Sequence, residues 1–189
     1  MASILPFDEM NDFTRKLREM FPEGVLPTEE EANGEEEDII DEMLDLFLLA
    51  YATGNAVTNQ NLSSNWNPTL DDVSKVVNKE VAGKTWKQRV EDYFSNGGTV
   101  DDLIRIVETE THRDANEAAL LTAKMAGATS KTWVTMMDDR VRDLHVPLEG
   151  IAVPIDAEFY TWDGDHAPAP GLFALPENNV NCRCELVFS

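Results

Sequence analysis

Near the start of the chain Phe7, Met10, Phe13, Leu17 and Phe21 recur at the spacing of one helical face, until Pro22 and Gly24 break the pattern. A second stripe follows in Ile39, Ile40, Met43, Leu44, Phe47 and Leu48, which predicts an amphipathic helix growing out of an acidic run. Further on, three hydroxyl residues, Thr69, Thr85 and Thr99, each stand three residues before an acid or amide, Asp72, Gln88 and Asp102. Such pairs satisfy the free amides of a first helical turn in both directions, so each predicts a helix start. Val73, Val76 and Val77 follow the first start, and Trp86, Val90 and Phe94 follow the second. "SNGG" at Ser95 to Gly98 ends that helix. The third start opens the longest predicted helix, from about Val100 to Met125, with Leu103, Ile106, Val107, Ala118, Leu121 and Met125 on its apolar side and Gly127 as its C-terminal stop. Its centre, "ETETHRDAN", is polar and is expected to bend or to face a groove, with His112 on the helix surface.

From about Thr129 the period changes. "KTWVTMM", "GIAVPI" and "CELVFS" predict short strands, separated by turns rich in Asp, Gly and Pro. The expected fold class is therefore α+β: a helical N-terminal and central part followed by a small, irregular β-rich C-terminal module. Residues 1–55 form acidic helices and a linker, residues 56–127 a helical part, and residues 128–189 the β-rich part of one 56–189 unit.

Charge narrows the function. The chain has 189 residues, with 36 acidic against 15 basic, for a net charge of −21. Phosphate backbones and anionic lipid repel such a chain, so broad electrostatic DNA binding is not expected. Between Glu29 and Asp45 there are ten acidic residues and no basic one, which predicts a solvated linker running into a helix start suited to its dipole. No basic stretch followed by an apolar run opens the chain, and no apolar run is long enough to span a bilayer, so neither a secretory signal nor a membrane partner is expected.

Candidate chemistry gathers in two places. In "DDRVRDLH", Asp139, Arg140, Arg142 and His145 offer guanidinium forks for carboxylates or phosphates, or bridges to local acids and carbonyls. In "NCRC", Cys182 and Cys184 are the only two cysteines, too closely spaced for an unstrained disulfide between them. Structural zinc takes four ligands, so Cys182, Cys184 and His145 would need His166 or Asp163 as a fourth. The tight Cys-x-Cys spacing, with no second cysteine pair, departs from a zinc ribbon, and no metal or other cofactor is expected. Asn181 and His145 also suit cysteine nucleophile chemistry. Alternation of Cys182 and Cys184 inward with Arg183 and Glu185 outward accounts for the same letters by packing alone.

The order of these blocks resembles the phage Mu F-like head morphogenesis family. The likeness rests on Thr109-Glu110, Lys131-x-Trp133, Asp139-Arg140-x-Arg142 with His145 three residues on, Gly150, Phe159, and Asn181-Cys182-Arg183-Cys184, over about residues 85–189. It implies a minor capsid protein of a tailed bacteriophage, not an enzyme, that assists head assembly and genome delivery. The portal protein and other head proteins would be its partners. Its place would be the capsid interior near the portal, with the host cytoplasm as the site of assembly. In a related branch of that family a Cys-x2-Cys pair stands where this chain has Arg142 and His145, which implies a four-thiolate site there and not here. Two other classes remain: an enzyme or toxin-like effector that binds a phosphate-bearing ligand through Arg140, Arg142, His145 and Glu110, and a zinc-binding module.

Overall fold

All three threonine starts form complete capping boxes. The hydroxyls of Thr69, Thr85 and Thr99 accept from the amides of Asp72, Gln88 and Asp102, whose side chains reach back to the threonine amides. In the computed structural model of the chain, residues 4–28, 31–32, 34–81 and 83–189 are described. Glu29, Glu30 and Asn33, part of the expected acidic linker, lie outside them. Five helices come first: α1 (Phe7–Met20), α2 (Glu35–Leu62), α3 (Leu70–Val77), α4 (Trp86–Asn96) and α5 (Val100–Met125). The expected boundary near residue 55 falls inside α2, which runs on for two turns because Ala56 to Leu62 carry no breaker.

Short antiparallel strands follow: β1 (Ser130–Val134), β2 (Ala152–Pro154), β3 (Phe159–Tyr160), β4 (His166–Ala167) and β5 (Glu185–Phe188). The fold is α+β. β1 is the central strand of the order β2-β1-β5, with Trp133 opposite Leu186 and Thr132 opposite Ala152. β3 and β4 form a separate pair that the sequence pattern did not predict, since two residues show no alternation. The carbonyl of Ser189 accepts from the amides of Thr129 and Ser130 at 2.7 and 2.9 Å, which seals the end of β5 against the start of β1.

Among the described residues two large apolar cores result, beside two small clusters. The helical core packs Phe13 and Leu17 of α1, Met43 and Phe47 of α2, Trp86 and Phe94 of α4, and Leu103 and Val107 of α5. Phe47 meets Trp86 edge to face at 5.0 Å. The second core gathers Trp133, Phe159, Phe173, Cys182, Cys184 and Leu186 under Leu120 of α5. α5 therefore belongs to both. It lies close on α2: a Cβ on Gly54 would come within 2.3 Å of the Ala115 carbonyl oxygen, so only glycine allows this approach.

Candidate functional site

The polar centre of α5 is buried rather than exposed, and this corrects the surface position expected for His112. Glu110, Thr111, His112, Arg113, Asp114 and Asn116 are all at most 2% exposed. The reason is tertiary. The helix is wedged between the other helices and the C-terminal module, and its side chains serve backbone groups on both sides. Towards the helices, Arg113 donates to the carbonyls of Val76 and Lys79 at 3.1 and 3.2 Å, where α3 ends. Asp114 lies 2.9 Å and Glu110 2.8 Å from the same guanidinium, and Arg89 of α4 pairs with Glu110 from outside. Burial opposes charge on Arg113, but the adjacent Asp114 and Glu110 carboxylates outweigh it and hold the proton more tightly than usual. At the fully buried Asp114, burial outweighs Arg113 and raises the carboxyl well above its ordinary pKa.

Towards the module, His112 donates from Nε2 to the Cys184 carbonyl at 2.7 Å, and the Asn116 amide donates to that carbonyl at 3.3 Å. Gly171, at φ +82°, passes so close that a Cβ there would stand 3.1 Å from His112 Nδ1 and 3.0 Å from Arg113 Cα. The "NCRC" segment is thus held from behind through its backbone, and its side chains are free to face the module interior.

Those side chains meet His145. Its Nδ1 lies 3.6 Å from Cys182 Sγ and 3.7 Å from Cys184 Sγ, and all three residues are buried. Trp133 meets the His145 ring edge-on at 5.4 Å and Phe173 stacks on it at 5.4 Å. Both cysteines are free thiols. A hydrogen bond shared between them draws the Cys182 thiol well below its ordinary pKa, aided by His112 and His145, and the same bond with burial pushes Cys184 up. Alternation holds through the segment: Cys182, Cys184 and Leu186 are buried, and Arg183 and Glu185 are half-buried between them. His166 and Asp163 do not join this group. His166 pairs with Glu158 at 2.7 Å, and Asp163 accepts from the Thr161 hydroxyl at 2.6 Å.

Around the cluster, Arg140 and Val141 sit in a turn closed by the Val141 amide on the Asp138 carbonyl at 3.1 Å, and Arg142 follows it. Asp138, one residue before the expected Asp139, does the bridging: it caps the Arg140 amide at 3.1 Å and accepts from Arg183 at 2.7 Å. Arg142, His145, Cys182 and Cys184 share one small hollow, whereas Glu110 lines a different one with Arg89 and Arg113. Gly150 makes the turn that returns the chain to β1, with φ +72° and its amide on the Trp133 carbonyl at 2.9 Å. Asn181 also has positive φ, at 58°, an uncommon setting for a residue with a side chain, and it starts the segment bearing both cysteines.

Sequence reasoning missed Asp165. This buried carboxylate accepts from the amides of His166, Ala174 and Leu175 and from the Asn178 side chain at 2.9 to 3.2 Å. Burial acts to raise its pKa, and these donors, led by Asn178, pull it below the usual carboxylate value. An Asp-Gly-Asp stretch reads as a turn; nothing local marks its second acid as a hub for residues about ten positions on.

Fold and site together define an α+β module in which one long helix with a buried polar centre clasps a small strand module built around a His-Cys-Cys cluster. The chain belongs to the Phage Mu protein F like family, whose model matches residues 54–187, more than the stretch from about residue 85 that the motifs alone delimited. It is 25% identical over 151 residues to the NAD(+)–arginine ADP-ribosyltransferase EFV of Enterococcus faecalis, covering 62% of this chain and 31% of that protein. It is 30% identical over 83 residues to minor head protein GP7 of Bacillus phage SPP1, covering 42% of this chain and 27% of that one. The chain thus spans less than a third of the length of either relative. No solved structure matches it.

Proposed function

We propose that this chain is a minor head protein of a tailed bacteriophage, acting in head morphogenesis in association with the portal. Membership of the Phage Mu protein F like family, beside the likeness to a phage minor head protein, carries the proposal. The geometry agrees with a structural role. Glu110, Arg113 and Asp114 are spent inside the molecule on binding α5 to α3 and α4, His112 and Asn116 on the Cys184 carbonyl of the module, and Arg183 is tied to Asp138. The acidic surface suits contact with basic faces of other head proteins rather than with packaged DNA. Among the described residues, no helix is long and apolar enough to cross a membrane.

Co-expression with the cognate portal protein is the direct test. Co-purification at a fixed stoichiometry supports the proposal; a chain that elutes apart from the portal in every salt condition overturns the portal association. Likeness to an ADP-ribosyltransferase keeps one enzymatic outcome in view. A saturable thermal shift with a nucleotide, abolished in Arg142→Ala, would favour it. However, Glu110 and Arg142 line separate hollows, which argues against a single anion site built from both.

A further inference from the structure

We infer that His145, Cys182 and Cys184 form a three-ligand zinc site completed by one water. The donor atoms Nδ1, Sγ and Sγ all lie within 4.8 Å of one another, with His145 Nδ1 3.6 and 3.7 Å from the two sulfurs. In tetrahedral zinc, bonds of about 2.1 Å to nitrogen and about 2.3 Å to sulfur place those two ligands about 3.6 Å apart. The observed edges match this spacing.

Charge and hydrogen bonding point the same way. Zinc with two thiolates is neutral, so it can be buried without the cost that either charge would carry alone. Without an ion, His145 Nδ1 meets only the weak thiol groups of Cys182 and Cys184. The tautomer with the proton on Nε2 leaves the Nδ1 lone pair free for a metal. Arg142, Met136 and Asn181 join the three ligands around a hollow of about 10 Å³, close to the space that one water needs. Three protein ligands and one water make a complete tetrahedron.

The ligands are also preorganised. Trp133 and Phe173 hold the imidazole from two sides, and His112 and Asn116 fix the Cys184 carbonyl. An ion here would tie the loop that follows β1 to the segment leading into β5, beside the link between Arg183 and Asp138.

The purified chain provides the test, independently of any role in the head. Metal analysis should give one zinc per chain, and cobalt(II) replacing it should show a thiolate charge-transfer band with the strong visible bands of four-coordination. Cys184→Ser should weaken binding by more than about 100-fold, beyond what loss of an outer partner costs, while His166→Ala should bind like the parent. Folded parent protein that takes up cobalt without a thiolate band, or takes up no metal, overturns the assignment. Unchanged bands in Cys184→Ser would overturn it as well. Should that variant fail to fold, the spectrum of the parent decides alone.

Discussion

Lys131 is a cation in an apolar place. Its side chain is buried, it donates to the Pro168 carbonyl at 2.7 Å, and its ammonium stands 5.6 Å from the centre of the Phe159 ring. Burial pulls its pKa down to about 8, with Lys124 adding to the effect. The lowered value means that the folded chain releases this proton before the unfolded chain does. Stability from this group therefore rises with pH from about 8 to the unfolded value near 10.4 and is flat below and above that window. The difference in denaturation free energy between the parent and Lys131→Met, followed from pH 7 to 10.5, should show this slope; a flat difference would mean that Lys131 titrates normally. Sequence placed Lys131 on a strand through the Lys131-x-Trp133 block, and in a strand residues two apart share one side. It did not show that this side was the inside, because a lysine in a strand normally marks the solvent face. Asp165 was hidden for the same reason: its value lies in distant amides that fold back onto it.

Both ends of helix α5 were legible, since its capping box at Thr99 and Gly127 beyond its last turn lie in local sequence. Of its expected apolar side Leu103, Ile106, Val107 and Ala118 are buried, but Leu121 is half-buried and Met125 is exposed because no second layer covers the last turn. What its polar centre does was not legible. A run such as "ETETHRDAN" looks solvated until a second layer covers it, and only the C-terminal module supplies that layer. The contact between α2 and α5 depends in turn on Gly54, a residue that lowers helix propensity by about 1 kcal/mol against alanine and so looks like a defect in isolation. Gly54→Ala should destabilise the fold by about 1–3 kcal/mol or more, because backbone and not a flexible side chain blocks the new methyl. Chemical denaturation would measure it, and a neutral or stabilising result would show that α2 is free to move away from α5.

At the scale of the whole molecule, one helix serves two large cores, and the network of Arg113, Glu110, Asp114 and Arg89 ties that helix to α3 and α4 at the level where Gly171 of the module passes close to Arg113. Removing Arg113 leaves two buried carboxylates with much less compensation, a change that typically costs about 3–5 kcal/mol. Arg113→Ala should therefore lower amide protection in the helical core and in β1 and β5 together, as read by hydrogen exchange. Protection lost from one part alone would show that the two parts fold independently. Sequence by itself determined the helices through their caps and apolar stripes, the change of period near residue 129, the acidic balance and the ordered blocks of the family. Those signals are local or compositional, and each is readable within a few turns of chain. Tertiary structure alone decided that the centre of α5 is buried, that Asp138 and not Asp139 takes Arg183, and that His145 meets Cys182 and Cys184. Each of these brings together groups from different elements, and no pattern within one segment encodes which distant backbone will come to cover it.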